Sequence, residues 1–253
     1  MSHDLLWAVE TVARVAGDVA IRHFRTDLPV ETKGDGSPVT IADRDAEQAA
    51  RAWIAAHFPD DGIVGEEFGT REGTNDRRWF IDPIDGTKSF VRGVPLWGSL
   101  VGIADGDEVL AGAAWFPAVN EMIAAELGKG CWWNGVRASV SETSTLAGAT
   151  VLVTDERAFR TSAARESWRT LLGEAGLART WGDCYGYLLV ATGRAEAMVD
   201  PVLSPWDIAC FLPIIEESGG VLTDLSGKRT AFGGNAIATN RALADTVRNF
   251  FVA

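Results

Sequence analysis

The stretch RRWFIDPIDGTKSF, Arg77 to Phe90, decides how this chain is read. Trp79-Phe80-Ile81 has the apolar, aromatic character of a strand heading into a core. Two aspartates, Asp82 and Asp85, arrive at its end with Pro83 and Ile84 between them, and Gly86 and Thr87 follow at once. Strand ends are where rigid elements hand functional groups to a crevice. A turn at Pro83 would converge the two carboxylates, with the Ile84 carbonyl between them. Carboxylates and carbonyls are hard oxygen donors and suit a cation such as Mg²⁺. Left uncompensated, neighbouring carboxylates repel and their pKa values separate; a divalent cation removes that cost.

Outward from this stretch, further acids sit in comparable settings. IVGEEFG places Glu66 and Glu67 just after the short apolar run Ile63-Val64-Gly65. LSPWDIACF places Asp207 in the first turn of a helix behind Pro205, where the helix dipole favours negative charge. Asp43 lies near the start of a helix over 41–58, with Thr40 as its N-cap. Taken singly, each of these reads as a turn, a solvated loop or a helix-start charge. Together they point to one acidic site.

Apolar spacing predicts an amphipathic helix over 4–24 and a second over 41–58, joined by the polar loop ETKGDGSPVT. That loop, which carries Lys33, is either a connector or a flap. Strands follow at 63–65, 79–81, 97–104, 108–116 and 120–125, with Asp105-Gly106-Asp107 as a hairpin turn. The second half alternates: strand 151–154, helices 162–175 and 185–193, strand 195–200, helix 206–217, strand 221–224 and a closing helix 239–251. This order predicts layered α/β packing in a single domain, 1–253, with lobes of about 1–145 and 146–253.

The chain is 47% hydrophobic over 253 residues, ample for a core. Its formal net charge is -12 and no Lys/Arg cluster stands out, which argues against a nucleic-acid binder. No apolar run reaches about 18 residues, so no membrane span is expected, and the N-terminus lacks a signal-peptide pattern. Cys131, Cys184 and Cys210 are dispersed and odd in number, which favours the reducing cytoplasm over a disulfide framework. Neither CxxC nor HExxH occurs. His3, His23 and His57 lie outside every motif and read as structural or surface residues.

IVGEE, WFIDPIDGTKSF and PWDIACFLPIIEESGG, in this order and spacing, resemble the inositol monophosphatase-like family of Mg²⁺-dependent, lithium-sensitive phosphatases. The likeness runs from about residue 5 to residue 250, and DPIDGT with a downstream WD is its most specific part. The resemblance implies an alternating α-β-α-β-α sandwich of the sugar-phosphatase type. It implies that Glu66, Asp82, the Ile84 carbonyl, Asp85 and Asp207 hold roughly two or three Mg²⁺ ions, as multi-metal phosphatases do. It also implies that Gly86 and Thr87 contact phosphate, and that Glu66 and Thr87, with Asp43 behind the threonine, orient the attacking water. Lys33 either neutralises phosphate or is simply solvated. A homodimer is implied as well.

Such kinship leaves the ester open. DGTKSFVRGVPLWGSLVGI and WGDCYGYLLVATGRAEAMVDPVLSPWD resemble the histidinol-phosphatase branch more than the inositol branch. Histidinol phosphate carries an ammonium and an imidazole, so its pocket needs carboxylates that do not ligate metal. Inositol presents only hydroxyls. Asp183 and Asp200 are the candidates; the competing readings are a helix cap for Asp183 and a strand end for Asp200 before Pro201. Arg92 and Trp97 either line the pocket or pack beneath it. The expected activity is Mg²⁺-dependent hydrolysis of L-histidinol phosphate in histidine biosynthesis. An inositol-1-monophosphatase or broad phosphatase is the alternative, and a non-catalytic cation-dependent binding protein is the reading from another class.

Overall fold

Helix and sheet layers alternate through the molecule, of which this computed structural model describes residues 4–34, 36–160 and 164–252. The first half runs α1 (Leu5–Ala20), β1 (Glu31–Thr32), β2 (Pro38–Val39), α2 (Ile41–His57), β3 (Gly62–Gly65), β4 (Gly69–Arg71), β5 (Arg77–Asp85), α3 (Thr87–Phe90), β6 (Gly98–Asp105), β7 (Glu108–Phe116), β8 (Glu121–Glu126), β9 (Gly130–Trp133) and β10 (Val136–Arg137). The second half runs β11 (Thr150–Leu152), α4 (Arg165–Glu174), β12 (Leu177–Arg179), α5 (Asp183–Ala191), β13 (Ala197–Asp200), α6 (Pro205–Ile208), α7 (Phe211–Glu217), β14 (Val221–Thr223), β15 (Ala236–Thr239) and α8 (Ala244–Arg248).

The alanine-rich inner stripes of α1 and α2 bury against one face of an 8-stranded sheet, order β10-β9-β8-β7-β6-β5-β3-β4. Small side chains let both helices lie close to it. The sheet is antiparallel except where β3 runs parallel to β5. On its other face α5, α6 and α7 are sandwiched against a 5-stranded sheet, order β12-β11-β13-β15-β14. Trp168 and Leu171 of α4 and Val247 of α8 then cover the far side of this second sheet, on Val151, Val199 and Ile237. The α-β-α-β-α order is the one the sequence implied.

Several local expectations hold. Thr40 caps α2, its Oγ1 accepting from the Ala42 N–H at 3.1 Å. Gly106 turns the β6–β7 hairpin at φ 57. Others need correction. The expected helix 206–217 is broken between Ile208 and Phe211, because Pro213 has no N–H for the Ala209 carbonyl. The Leu212 N–H takes that carbonyl instead, at 3.3 Å. The expected closing helix 239–251 is mostly something else. Its first residue ends β15, Asn240 caps a 3₁₀ turn by accepting from the Leu243 N–H at 2.9 Å, and α8 stops at Arg248. Thr239 is held in the strand by pairing on both sides, with Ala197 of β13 and Val221 of β14. The helix expected over 162–175 is seen from Arg165 to Glu174; its first two positions lie outside the described residues.

Candidate active site

A β-bulge brings the two aspartates of the opening stretch together. Asp82 pairs with Leu100 of β6 and Asp85 with Gly98, so three steps along β5 oppose two along β6. In a regular strand, residues three apart point to opposite faces. The extra residue returns Asp85 to the side of Asp82. Pro83 suits the bulge because it has no N–H to offer the ladder. Its carbonyl accepts from Ser99 Oγ at 2.6 Å, and Asp82 Oδ1 accepts from the Ile84 N–H at 3.0 Å.

Asp207 reaches the same point from the opposite layer. Gly102 and Gly112 let the backbone after α6 press onto the sheet: a Cβ on Gly112 would lie 2.2 Å from the Cys210 carbonyl oxygen. Within α6, Asp207 Oδ2 accepts from the Ser204 N–H at 2.7 Å, which orients the carboxylate. Ligand atoms of Asp82, Asp85 and Asp207 all lie within 4.8 Å of one another. Burial, then the nearby charges of Glu66, Asp85 and Asp207, hold Asp82 well above the ordinary carboxylate range. Burial followed by Asp183 and Asp207 does the same to Asp85. Asp207 is pushed up to about 7, chiefly by burial, against the opposing Ser204 bond. The cluster is a concentration of negative charge that wants a cation.

Glu66 stands beside this triad rather than within it. Lys33 reaches over from the β1–β2 loop and its Nζ lies 2.6 Å from both Glu66 Oε1 and Glu67 Oε1. Burial alone would lower the Lys33 pKa, but the two carboxylates more than reverse it and keep the ammonium charged. Lys33 is therefore ion-paired here rather than simply solvated. Thr87 opens α3, and its Oγ1 donates to the Ile84 carbonyl at 3.0 Å and lies 3.4 Å from Asp43 Oδ1. Asp43 is buried; its Oδ2 takes the Thr40 N–H and Oγ1, both at 2.7 Å. Gly86 precedes Thr87 at φ 86, a conformation a side chain would strain.

A cleft of ≈ 580 Å³ opens from the triad, lined by Asp85 and Asp207 and also by Asp183, Asp200, Tyr187 and Asp155. Asp183 adopts φ 49 at the start of α5 and its backbone N–H is anchored on Thr154 Oγ1 at 2.8 Å. Its carboxylate faces Gly86: a Cβ built there would be 3.3 Å from Asp183 Oδ2. Asp200 is buried with both oxygens engaged, by the Thr154 N–H at 3.1 Å and the Tyr187 hydroxyl at 3.0 Å. Trp97 packs beneath the site on Phe24 and Phe90, fully buried. Arg92 lines a neighbouring shallow cavity with Lys88 and Arg157. His23 and His57 are not among the residues lining the cleft, and His3 lies outside the described residues. Sequence reasoning missed Thr154, Tyr187 and Glu47. Tyr187 lies one helical turn after Asp183, a spacing that marks a shared face.

The family model "Inositol monophosphatase family" matches residues 2–250. Among curated proteins, the chain is 42% identical to "Histidinol-phosphatase" of Chlorobaculum parvum, over 96% of this chain and 94% of that one. It is 36% identical to "Histidinol-phosphatase" of Mycobacterium tuberculosis (98% and 97% covered). It is 34% identical to "Fructose-1,6-bisphosphatase/inositol-1-monophosphatase" of Thermotoga maritima (95% and 93%). Among solved structures, the Thermotoga maritima IMPase superposes with a TM-score of 0.88 at 32% identity, covering 98% of this chain and 96% of that one.

Proposed function

The chain belongs to the inositol monophosphatase family, and from that premise we propose that it is a Mg²⁺-dependent phosphoric monoester hydrolase acting on L-histidinol phosphate in histidine biosynthesis. The observation that carries the hydrolase reading is the convergence of Asp82, Asp85 and Asp207 within 4.8 Å at the mouth of a cleft. Three desolvated carboxylates held by bulge and cap geometry form a hard-oxygen donor set whose mutual repulsion a divalent ion would relieve. We assign the ions to these three, the Ile84 carbonyl and Glu66. When bound, Mg²⁺ acidifies a water and offsets phosphoryl charge.

The chain's own groups do the rest. Asp43 spends Oδ2 on Thr40 and faces the Thr87 hydroxyl with Oδ1. With its own proton directed at Asp43 or the Ile84 carbonyl, Thr87 Oγ1 keeps a lone pair to accept a hydrogen bond from the attacking water and so orient it. Gly86 and Thr87 offer the turn against which the phosphate sits, and Lys33 supplies a cation beside it. Asp183 and Asp200 give the cleft negative charge for the ammonium and imidazole of histidinol phosphate. The printed names of the more similar relatives support this ester. We read the fold as one domain with lobes of about 1–145 and 146–253, and the protein as a cytoplasmic homodimer, which sedimentation would test.

Phosphate release from L-histidinol phosphate and from inositol 1-phosphate, with Mg²⁺, decides the ester. Histidinol phosphate should show the higher kcat/KM by about tenfold or more, roughly 1.4 kcal/mol of discrimination. The reverse ranking would favour the second reading, an inositol-1-monophosphatase or broad phosphatase, which the Thermotoga relative's name supports. No hydrolysis of any monoester would leave a cation-dependent binding protein.

A further inference from the structure

We propose that Glu47 is the positioning residue for Glu66, and that α2 acts through Asp43, Glu47 and Arg51 as one rail that sets both halves of the catalytic centre. This deepens the assignment of Glu66 as a metal ligand and rests on it. The three residues are spaced i, i+4, i+8 and share one helix face. Asp43 faces Thr87. One turn on, Glu47 is fully buried and spends both oxygens on the turn that carries Glu66. Its Oε2 accepts from the Glu67 N–H at 2.7 Å and its Oε1 from the Phe68 N–H at 3.2 Å. Arg51 Nε donates to Glu47 Oε1 at 2.6 Å, and its guanidinium also donates to the Gly69 carbonyl.

Glu66 itself donates its N–H to the Ile81 carbonyl at 3.2 Å, one residue before Asp82. Its backbone is thus fixed from β5 on one side and from Glu47 on the other. The fit leaves no slack: a Cβ on Gly65 would lie 2.1 Å from Glu47 Oε1. A buried carboxylate whose oxygens are taken by an arginine and two backbone amides is an anchor rather than a ligand. Substituting such outer partners of metal ligands weakens metal binding by about 10–100-fold.

The test is a double-mutant cycle read by Mn²⁺ titration of the metal-free protein, in calorimetry or electron paramagnetic resonance. E47Q keeps the shape and one acceptor oxygen. It should weaken Mn²⁺ binding at the Glu66-dependent position by about tenfold or more, yet add less than about twofold in an E66Q background. A purely structural role would lower thermal stability and leave the Mn²⁺ affinity of the folded fraction unchanged. That result, with E66Q weakened as expected, overturns the positioning role alone. Multiplicative losses in the double mutant overturn it too. An E66Q protein that binds Mn²⁺ like the parent overturns the ligand assignment and this inference with it. Should E47Q not fold, R51Q, which leaves Glu47 in place and loosens its clasp, should weaken Mn²⁺ by about threefold or more; unchanged affinity there overturns the proposal.

Discussion

Asp200→Asn should make this protein more stable at neutral pH, and the size of the gain follows from where Asp200 sits. The carboxylate is buried, 3% exposed, beneath the cleft. Burial raises its pKa from 3.8 to about 6, although the Thr154 N–H and the Tyr187 hydroxyl both favour the charged form. The gap corresponds to about 3 kcal/mol of folding free energy. Because the folded-state pKa is the raised one, this stability is fully present below about pH 4. It drains away as pH rises and is gone once pH has passed about 6. Asparagine has no charge to bury, its Oδ1 still accepts from Thr154, and its amide can donate to the Tyr187 oxygen. The two proteins should therefore unfold together near pH 4. By pH 7.5 the variant should lead by about 6–12 °C in Tm, at about 2–4 °C per kcal/mol for a chain of this size. Calorimetric scans from pH 4 to 8, in EDTA and again in Mg²⁺, read this directly. Asp200 lies outside the triad, so the difference should survive metal loading. Parallel pH profiles, or a variant less stable than the parent at pH 7.5, would refute the claim that the burial cost of this charge outweighs its two hydrogen bonds.

The remaining predictions concern turnover. Asp85→Asn should lower kcat by about 10³-fold or more while the metal-free protein unfolds at the same or a higher temperature; parental kcat would remove Asp85 from the ion-binding set. Thr87→Val, nearly isosteric, should cost about 10²-fold or more in kcat with little change in KM, and a KM effect alone would mean the hydroxyl only binds. Asp183→Asn should raise KM for L-histidinol phosphate by about tenfold and leave an uncharged-alcohol ester such as p-nitrophenyl phosphate unaffected, since about 1.4 kcal/mol of charge attraction is lost only with the cationic ester. Equal losses for both esters would place Asp183 in the scaffold.

What was legible in the sequence was local and strong. The strand at 79–81, the heart of β5, the cap at Thr40 and the Asp105-Gly106-Asp107 hairpin each announce themselves within a few residues. Short strands such as β4, β9, β12 and β15 do not, because three or four residues carry too little period to assign on their own. β15 is the clearest case: Thr239, expected to open the closing helix, is paired on both sides. The break at Pro213 was readable in principle, since proline leaves the carbonyl four residues earlier without its helical donor.

The site divides along the same line. Asp82 and Asp85 could be proposed as a pair, but their shared face depends on a bulge defined by β6, which no reading of DPID alone reveals. Glu47 is harder still. In sequence it is one acid of a Glu–Arg pair at helical spacing, the commonest way to decorate a solvated helix face. Only the fold turns that face inward, brings Gly65 against it and gives its oxygens the amides of Glu67 and Phe68. Asp200 combines both readings: it ends β13 before Pro201 with each oxygen held inside the protein, by Thr154 and by Tyr187, and it still lines the cleft. Acids that meet water or ions and acids that hold backbone look alike in sequence. They differ in where the neutralising partner comes from, and that is decided by long-range packing. In this site the partner of Glu47 is Arg51 and two amides, and the partners of Asp200 are Thr154 and Tyr187. Asp82, Asp85 and Asp207, each held by a backbone N–H (of Ile84, Cys184 and Ser204), crowd their charges within 4.8 Å of one another, and the demand for a cation is greatest there.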